Sequence, residues 1–384
     1  MSRTVLAILA LLFMSIMVSI PAPSGAWSID GHELITRQSI ALLPDRWRQL
    51  FGYYDWFLTE ASTYPDIYYR ETDPNEGPRH YVDLEVWNPN APSTGTLPQA
   101  VEEYSLKMQL AMEAGNWNNA FLLAGRLAHY VEDDTQPYHT TVDYNPTNKA
   151  GTGLHSVLDS SLAAHFSEIN VLQASDIGAL APIDNLTTFA LNLAYQSHSY
   201  LPVINRTLID EGLDWSPELT KMIENRTNTA IIAVARVWYT VIMKAKVPAP
   251  EIPANNQLSI VIENVTQADN GLTSIQLRVV DSLGVRTYAD VTLITNSSTY
   301  RGQVADVVTP MGEYVVVSDT GLHPDDRLSA QREGYKSTTV GLGIPATQVS
   351  RVDFGLPTIT VVALVVMFGC IVIYVILRRT PMDS

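Results

Sequence analysis

His129-Tyr130-Val131-Glu132-Asp133-Asp134-Thr135-Gln136-Pro137-Tyr138-His139 is the stretch from which the rest of the chain can be read. Apolar residues recur at three- and four-residue spacing over 117–133, so the first half of the stretch continues a helix. On that helix His129 and Asp133 are i and i+4 and project an imidazole and a carboxylate from one face. Pro137 cannot continue a helix, and it is expected to end this one and turn His139 back toward the pair. Taken alone, His129 with Asp133 is also what a hydrogen bond on a helix surface looks like.

Working outward, a second i, i+4 pair, His155 with Asp159, follows a loop carrying Gly151 and Gly153, with the same bland alternative. His80 lies upstream in Arg79-His80-Tyr81-Val82-Asp83, Asp66 lies in Tyr64-Pro65-Asp66, and His32 stands five residues after Trp27. The recurrence is harder to dismiss than any single pair. The chain has one cysteine, so it can form neither an internal disulfide nor a CxxC zinc ribbon. Any metal must rest on histidine and carboxylate, a donor set that suits zinc.

The 384 residues are 46% apolar and 17% charged, a globular composition with room for two domains. A net charge of −16 excludes a protein that holds nucleic acid by its general surface field, although a local metal cluster could still engage phosphates. From 31 to about 246 the pattern is helical, with helices expected over 97–114, 117–133, 184–201 and 228–244. Prolines at 44, 65, 137, 182, 202 and 217 suggest short helices and long loops. The segment 247–253, Val-Pro-Ala-Pro-Glu-Ile-Pro, reads as a stiff linker. Beyond it the period changes to two, in β-branched runs at 258–262, 274–280, 287–294 and 314–317. A small all-β sandwich is expected over 254–355, roughly a hundred residues. Gly312-Glu313-Tyr314 and Gly334-Tyr335-Lys336 weakly resemble transthyretin-like or carboxypeptidase-regulatory-like modules. It holds no catalytic constellation, His323 reads as a solvated loop residue, and a stalk is its expected role.

The two ends set an expected topology. Residues 1–26 read as a signal peptide, with Arg3, an apolar run and Ser24-Gly25-Ala26, which would leave Trp27 as the first mature residue. Residues 356–377 are uncharged, long enough to cross a bilayer and followed by Arg378-Arg379, so they read as one C-terminal transmembrane helix. The tail 378–384 is then cytoplasmic and 27–355 lies outside the cell membrane, held by a single pass. Cys370 falls within the span. Sequons at Asn185, Asn205, Asn225, Asn264 and Asn296 all fall in the outer part.

The region 27–244 resembles the zinc-dependent phospholipase C and S1/P1 nuclease superfamily. The resemblance rests on the mature N-terminal Trp27, Gly31-His32, Ala61-Ser62-Thr63 with Asp66, His80-Tyr81-x-Asp83, the 129–139 block and Leu154-His155-Ser156-x-x-Asp159. It implies an all-α catalytic domain over 27–246, a helical bundle holding three zinc ions in a cleft. Asp66, His80, His129 and Asp133 match the ligands of one zinc. His139, His155 and Asp159 match those of a second, and the Trp27 amine and carbonyl with His32 those of a third, with Asp133 bridging two metals. His165 and His198 match no ligand position. Tyr138 and Asp134 stand where a smaller or apolar residue is more usual, a change expected at the pocket rim.

The implied activity is metal-assisted phosphodiester hydrolysis, with Asp66 orienting or deprotonating the attacking water or serving purely as a ligand. One reading is a membrane-anchored phospholipase C acting on phospholipid. The alternative is a single-strand nuclease or 3′-nucleotidase, in which Tyr81 stacks on a base and Asp83 accepts its hydrogen bonds. Asp159 and the short Trp27–His32 spacing look more like the nuclease branch, the short 139–155 loop and lack of cysteines more like the lipase branch. A non-catalytic surface protein would be marked by a lost ligand, and none is missing. Nothing in the pattern points to a protein partner.

Overall fold

The computed structural model describes residues 27–147, 151–173, 175, 178–206, 216–267, 273–294, 303–304, 306–307, 313–318, 325–342 and 350–351. The expected signal 1–26, the apolar span 356–377 with its tail, Cys370, His323 and Asn296 lie outside the described residues. Among the described residues no helix is long and apolar enough to cross a membrane. The chain divides into two compact units at Ala254–Asn255, just past the proline-rich segment.

The first unit is helical: α1 (Ser28–Ile40), α2 (Asp45–Tyr53), α3 (Asp55–Tyr64), α4 (Leu97–Glu113), α5 (Trp117–Asp133), α6 (Leu154–His165), α7 (Leu186–His198), α8 (Leu201–Asn205) and α9 (Pro217–Ala245). Helix α5 is its centre. Every residue of it from Leu127 to Asp133 is buried, and α1, α3, α4 and α9 all pack against it. A helix enclosed on all sides is what an apolar-rich sequence with small residues such as Ala120, Ala124, Gly125 and Ala128 can form. Gly125 sets the closest approach: a Cβ there would lie 2.5 Å from the Ala61 Cβ and 2.7 Å from the Leu58 carbonyl oxygen. Helix α3 therefore lies almost backbone to backbone on α5, one turn before His129. Phe51, Tyr54, Phe121 and Trp238 fill the space beside this contact, and the Trp238 indole donates to the Ala124 carbonyl at 3.0 Å.

The prolines punctuate less than their number suggests. Pro217 opens α9, the longest helix at 29 residues, with the Ser216 hydroxyl accepting from Leu219 N–H at 3.1 Å. The first turn of a helix has no use for the N–H that proline lacks, so the ring is accommodated there. Pro65 follows the last residue of α3 without breaking the helical path; the chain runs on through a π-helical turn, Pro65–Tyr69, into Arg70–Thr72. The expected helix at 228–244 is thus the second half of a longer one, and that at 184–201 closes at His198.

The second unit has two sheets, in strand orders β5-β6-β2-β1-β9 and β4-β3-β7-β8. The strands are β1 (Ser259–Gln267), β2 (Thr273–Val280), β3 (Asp290–Ile294), β4 (Gln303–Val304), β5 (Asp306–Val307), β6 (Glu313–Ser318), β7 (Arg327–Gln331), β8 (Thr338–Gly341) and β9 (Ser350–Arg351). Pairing is antiparallel except for β1 with β9, and β1 shifts register against β2 between Ile262 and Asn264. Ile275, Leu277 and Val279 of β2 meet Val291 and Leu293 of β3 and Leu328 and Ala330 of β7 in one core, so alternate residues of both sheets face inward. Strands β7 and β8 have no counterpart in the sequence reading, because Arg-Leu-Ser-Ala-Gln and Thr-Thr-Val-Gly carry too little apolar alternation to stand out.

Candidate metal centre

The carboxyl end of α5 gathers the site. His129 and Asp133 are one turn apart, and the Asp133 Oδ2 lies 3.3 Å from His129 Nε2 and 2.9 Å from His80 Nδ1. Asp66, carried by the π-helical turn after α3, adds Oδ1 at 3.6 Å from His80 Nδ1 and 4.0 Å from His129 Nε2. The extra residue in a π turn rotates the chain locally, a device that recurs where a side chain must be aimed. The other oxygen of Asp133 faces elsewhere: Oδ1 is 3.6 Å from His32 Nε2, which is also 3.9 Å from Asp66 Oδ2. His32, His129 and Asp133 form one group able to hold an ion, and Asp66, His80 and His129 form another.

The 3₁₀ turn Pro137–Thr140 brings His139 alongside, with Nδ1 3.7 Å from Asp133 Oδ2. Its Nε2 meets His155 Nε2 at 2.9 Å, and the same His155 nitrogen is 3.4 Å from Asp159 Oδ2. Five imidazoles and three carboxylates thus occupy one buried region. The side chains of His32, Asp66, His80, His129, Asp133, His139, His155 and Asp159 are thus brought together, whereas the contacts of Trp27 are those of its buried indole, which donates to the Glu132 carbonyl at 2.9 Å and to Thr135 Oγ1 at 3.1 Å. That anchors the start of α1, and with it His32, over the end of α5.

Most of the imidazoles have one nitrogen anchored and the other turned to the cluster. His129 Nδ1 donates to the Ser62 carbonyl at 2.7 Å, and His139 Nδ1 donates to the His80 carbonyl. His32 Nδ1 meets Glu132 Oε2 at 2.5 Å, while His80 Nε2 looks back to Glu76 Oε1 at 3.6 Å. An anchored N–H leaves the lone pair on the opposite nitrogen, the form in which imidazole binds a metal. The cluster also leaves atoms unanswered: His32 Nε2, Asp133 Oδ1 and Asp159 Oδ2 are buried without a hydrogen-bond partner. Orphaned acceptors of this kind are costly, and a shared cation resolves them. The residues fit a set of divalent ions with His and carboxylate ligands.

The electrostatics divide the imidazoles: burial is outweighed at His32 by the Glu132 carboxylate and at His80 by Asp133 and Glu76, which raise the pKa, whereas the other three are lowered. Burial pushes His139 down to about 4, and burial together with the neighbouring His139 pushes His155 down to about 3, so both are neutral donors. His129 is lowered by burial as well. Burial opposes ionisation of Asp66 and Asp133, yet the surrounding histidines, joined at Asp66 by Arg70, hold both below the usual carboxylate range. Asp159 is raised well above that range by burial.

Val82 is buried and its N–H donates to the His139 carbonyl at 2.9 Å, while Tyr81 and Asp83, on either side of it in extended chain, are partly exposed on the opposite face. Gly95, with φ at +89°, lets the chain pass the Tyr81 carbonyl. His165 pairs with Glu168 at 2.6 Å, and His198 Nδ1 meets the Thr140 carbonyl at 2.9 Å; neither joins the cluster. Tyr138 and Asp134 are not rim residues, as the sequence suggested: both are fully buried, and the Tyr138 hydroxyl donates to Asn205 Oδ1 at 3.0 Å. Tyr138 shares a buried cluster with Leu154, Leu158 and Leu162 of α6, and the Asp134 carbonyl accepts from the Ser197 hydroxyl of α7 at 2.7 Å. The sequence reading missed Glu132, Glu76, Gln136 and Arg70. Gln136 donates to Asp159 Oδ1 at 2.6 Å, and Arg70 Nε lies 3.2 Å from Asp66 Oδ1. For Arg70 the i, i+4 spacing from Asp66 was a visible signal; for Glu76 and Glu132 it was only their nearness in sequence to ligands.

No protein-family profile matches the chain, and no curated protein does. Among solved structures it is similar to the alpha toxin from Clostridium absonum, at 13% identity and a TM-score of 0.44 over 82% of this chain and 93% of that one. A second similar structure is the Clostridium perfringens alpha-toxin isolated from avian strain SWCP, at 12% identity and a TM-score of 0.42 over 85% and 94%.

Proposed function

We propose that the chain is a zinc-dependent phosphodiesterase with three metal positions, acting as a membrane-anchored phospholipase C. The observation that carries this reading is Asp133, whose two oxygens face two different histidine sets, His80 and His129 on one side and His32 on the other. A carboxylate so placed is built to bridge two cations. The first position is held by Asp66, His80, His129 and Asp133, the second by His139, His155 and Asp159, and the third by His32 and Asp133 with the amine and carbonyl of Trp27. Bound zinc would supply an activated water and positive charge for the phosphate oxygens.

The chain's own groups do the rest. Asp66 stays ionised, so it would orient the attacking water as an acceptor. Arg70, with Nε 3.2 Å from Asp66 Oδ1, brings a positive charge beside the cluster that a phosphate could meet. A net charge of −16 disfavours long polyanions, and a membrane-spanning anchor at 356–377, with 27–355 outside the cell, would keep the metal centre near lipid. For the nuclease reading, Tyr81 and Asp83 are both partly exposed, though on the face turned away from the Val82–His139 link.

The test is to load the purified protein with zinc, mix it with phospholipid micelles and single-stranded RNA, and follow phosphorus species by NMR. Release of a phosphorylated head group with RNA intact is expected. Release of 5′-nucleotides instead would transfer the reading to the nuclease, and silence toward both would reject it.

A further inference from the structure

Glu132 is fully buried, one residue before Asp133, and on a helix that offset turns its side chain away from the Asp66–His80–His129 group. Its carboxylate is nonetheless fully engaged. Oε2 lies 2.5 Å from His32 Nδ1, and Oε1 accepts from the Thr36 hydroxyl at 2.7 Å. His32 and Thr36 are one turn apart on α1, so a single carboxylate clamps two successive turns of α1 to the end of α5. The Glu132 main chain takes part too, because its carbonyl accepts the Trp27 indole at 2.9 Å.

We propose that Glu132 is a positioning residue for the metal position at His32. With Nδ1 donating to Glu132, the lone pair of His32 sits on Nε2, the atom that lies 3.6 Å from Asp133 Oδ1 and has no hydrogen-bond partner. The carboxylate fixes both the tautomer and the tilt of the ring, and its charge makes the imidazole a stronger donor. Thr36 holds the carboxylate in turn. No other described imidazole of the cluster has a carboxylate oxygen this close to the nitrogen turned away from the cluster; His129 and His139 use main-chain carbonyls, and the Glu76 oxygen behind His80 is 3.6 Å away. The His32 position is thereby the one whose affinity depends most on a side chain that never touches the ion. This inference rests on the metal-centre reading above.

Glu132→Gln tests it, since glutamine keeps the shape, can accept from Nδ1 and can pair with Thr36, but loses the charge. Zinc uptake of wild type, E132Q, His32→Ala and the double variant would be titrated against a chromophoric chelator, with melting of the zinc-free proteins recorded alongside. E132Q is expected to weaken one zinc site about 10–100-fold and leave the others unchanged. It should melt like wild type without zinc and add nothing in the His32→Ala background. Equal uptake by wild type and E132Q overturns the role of Glu132, as does a loss that persists when His32 is already absent. Wild-type protein that takes up no zinc would instead overturn the metal-centre reading on which it rests.

Discussion

At the scale of single residues, the site is a small ensemble of ionisable groups stabilised by carboxylates behind it. Glu76 is the clearest case. Its side chain is buried, accepts from Tyr130 at 2.5 Å and from Arg79 at 2.9 Å, pairs with Arg126, and stands behind His80. Burial alone would raise its pKa, yet His80, Arg126 and Tyr130 lower it from the usual 4.5 to about 2. A depressed carboxylate contributes stability that is present above the unfolded value and is lost as pH falls through the folded one. For Glu76 that window runs from 4.5 down to about 2, and the stake is on the order of 3 kcal/mol. In zinc-free protein, the stability gap between wild type and Glu76→Gln is therefore expected to shrink toward zero as acid is added across this window. A gap independent of pH, followed by denaturant titration, would show that Glu76 is not ionised in the fold.

At the scale of elements, the contact of α3 with α5 decides whether Asp66 and His129 meet at all. Two effects compete at Gly125. Alanine is favoured over glycine in a helix by about 1 kcal/mol. Against this, a new Cβ would lie 2.5 Å from the Ala61 Cβ and 2.7 Å from the Leu58 carbonyl, both on the backbone-close face of α3. Neither is the end of a flexible side chain, so α3 must retreat, at about 1–3 kcal/mol for overpacking of this kind. Gly125→Ala is expected to lower unfolding stability and also zinc affinity, because the Ser62–His129 link at 2.7 Å is one turn away. Denaturant curves and zinc titration of the same variant read both. Stability at or above wild type would mean that the helices are less closely apposed.

At the scale of the whole molecule, removing metal should act on one unit only. The clustered imidazoles and carboxylates come from α1, the π turn after α3, the segment at His80, α5, the turn after it and α6, so a bound metal would hold most of the helical unit's elements together. Zinc at a thousand times its dissociation constant adds about 4 kcal/mol, which for a domain of this size is on the order of 10 °C in melting temperature. Calorimetry with and without chelator is expected to shift the transition of the helical unit and leave that of the β unit where it was; an unmoved helical transition would count against metal-coupled folding. Much of this was legible beforehand. The i, i+4 pairs His129–Asp133 and His155–Asp159 report helix geometry directly, since spacing along a helix is spacing on a face. The switch from period 3.6 to period 2 near 254 marked the change of layer, because periodicity is a local property of burial. Glu132, Glu76 and Arg70 could not be assigned in the same way: what matters about them is the partner each meets, and those contacts with His32, His80 and the cluster depend on how separate helices pack. Tyr138 and Asp134 were misplaced at the rim for the same reason. Which residues can share a face was determined by the sequence alone; which faces meet, and so which carboxylate stands behind which imidazole, was decided by tertiary structure, because close approaches such as Gly125 on Ala61 exist only once the helices have packed.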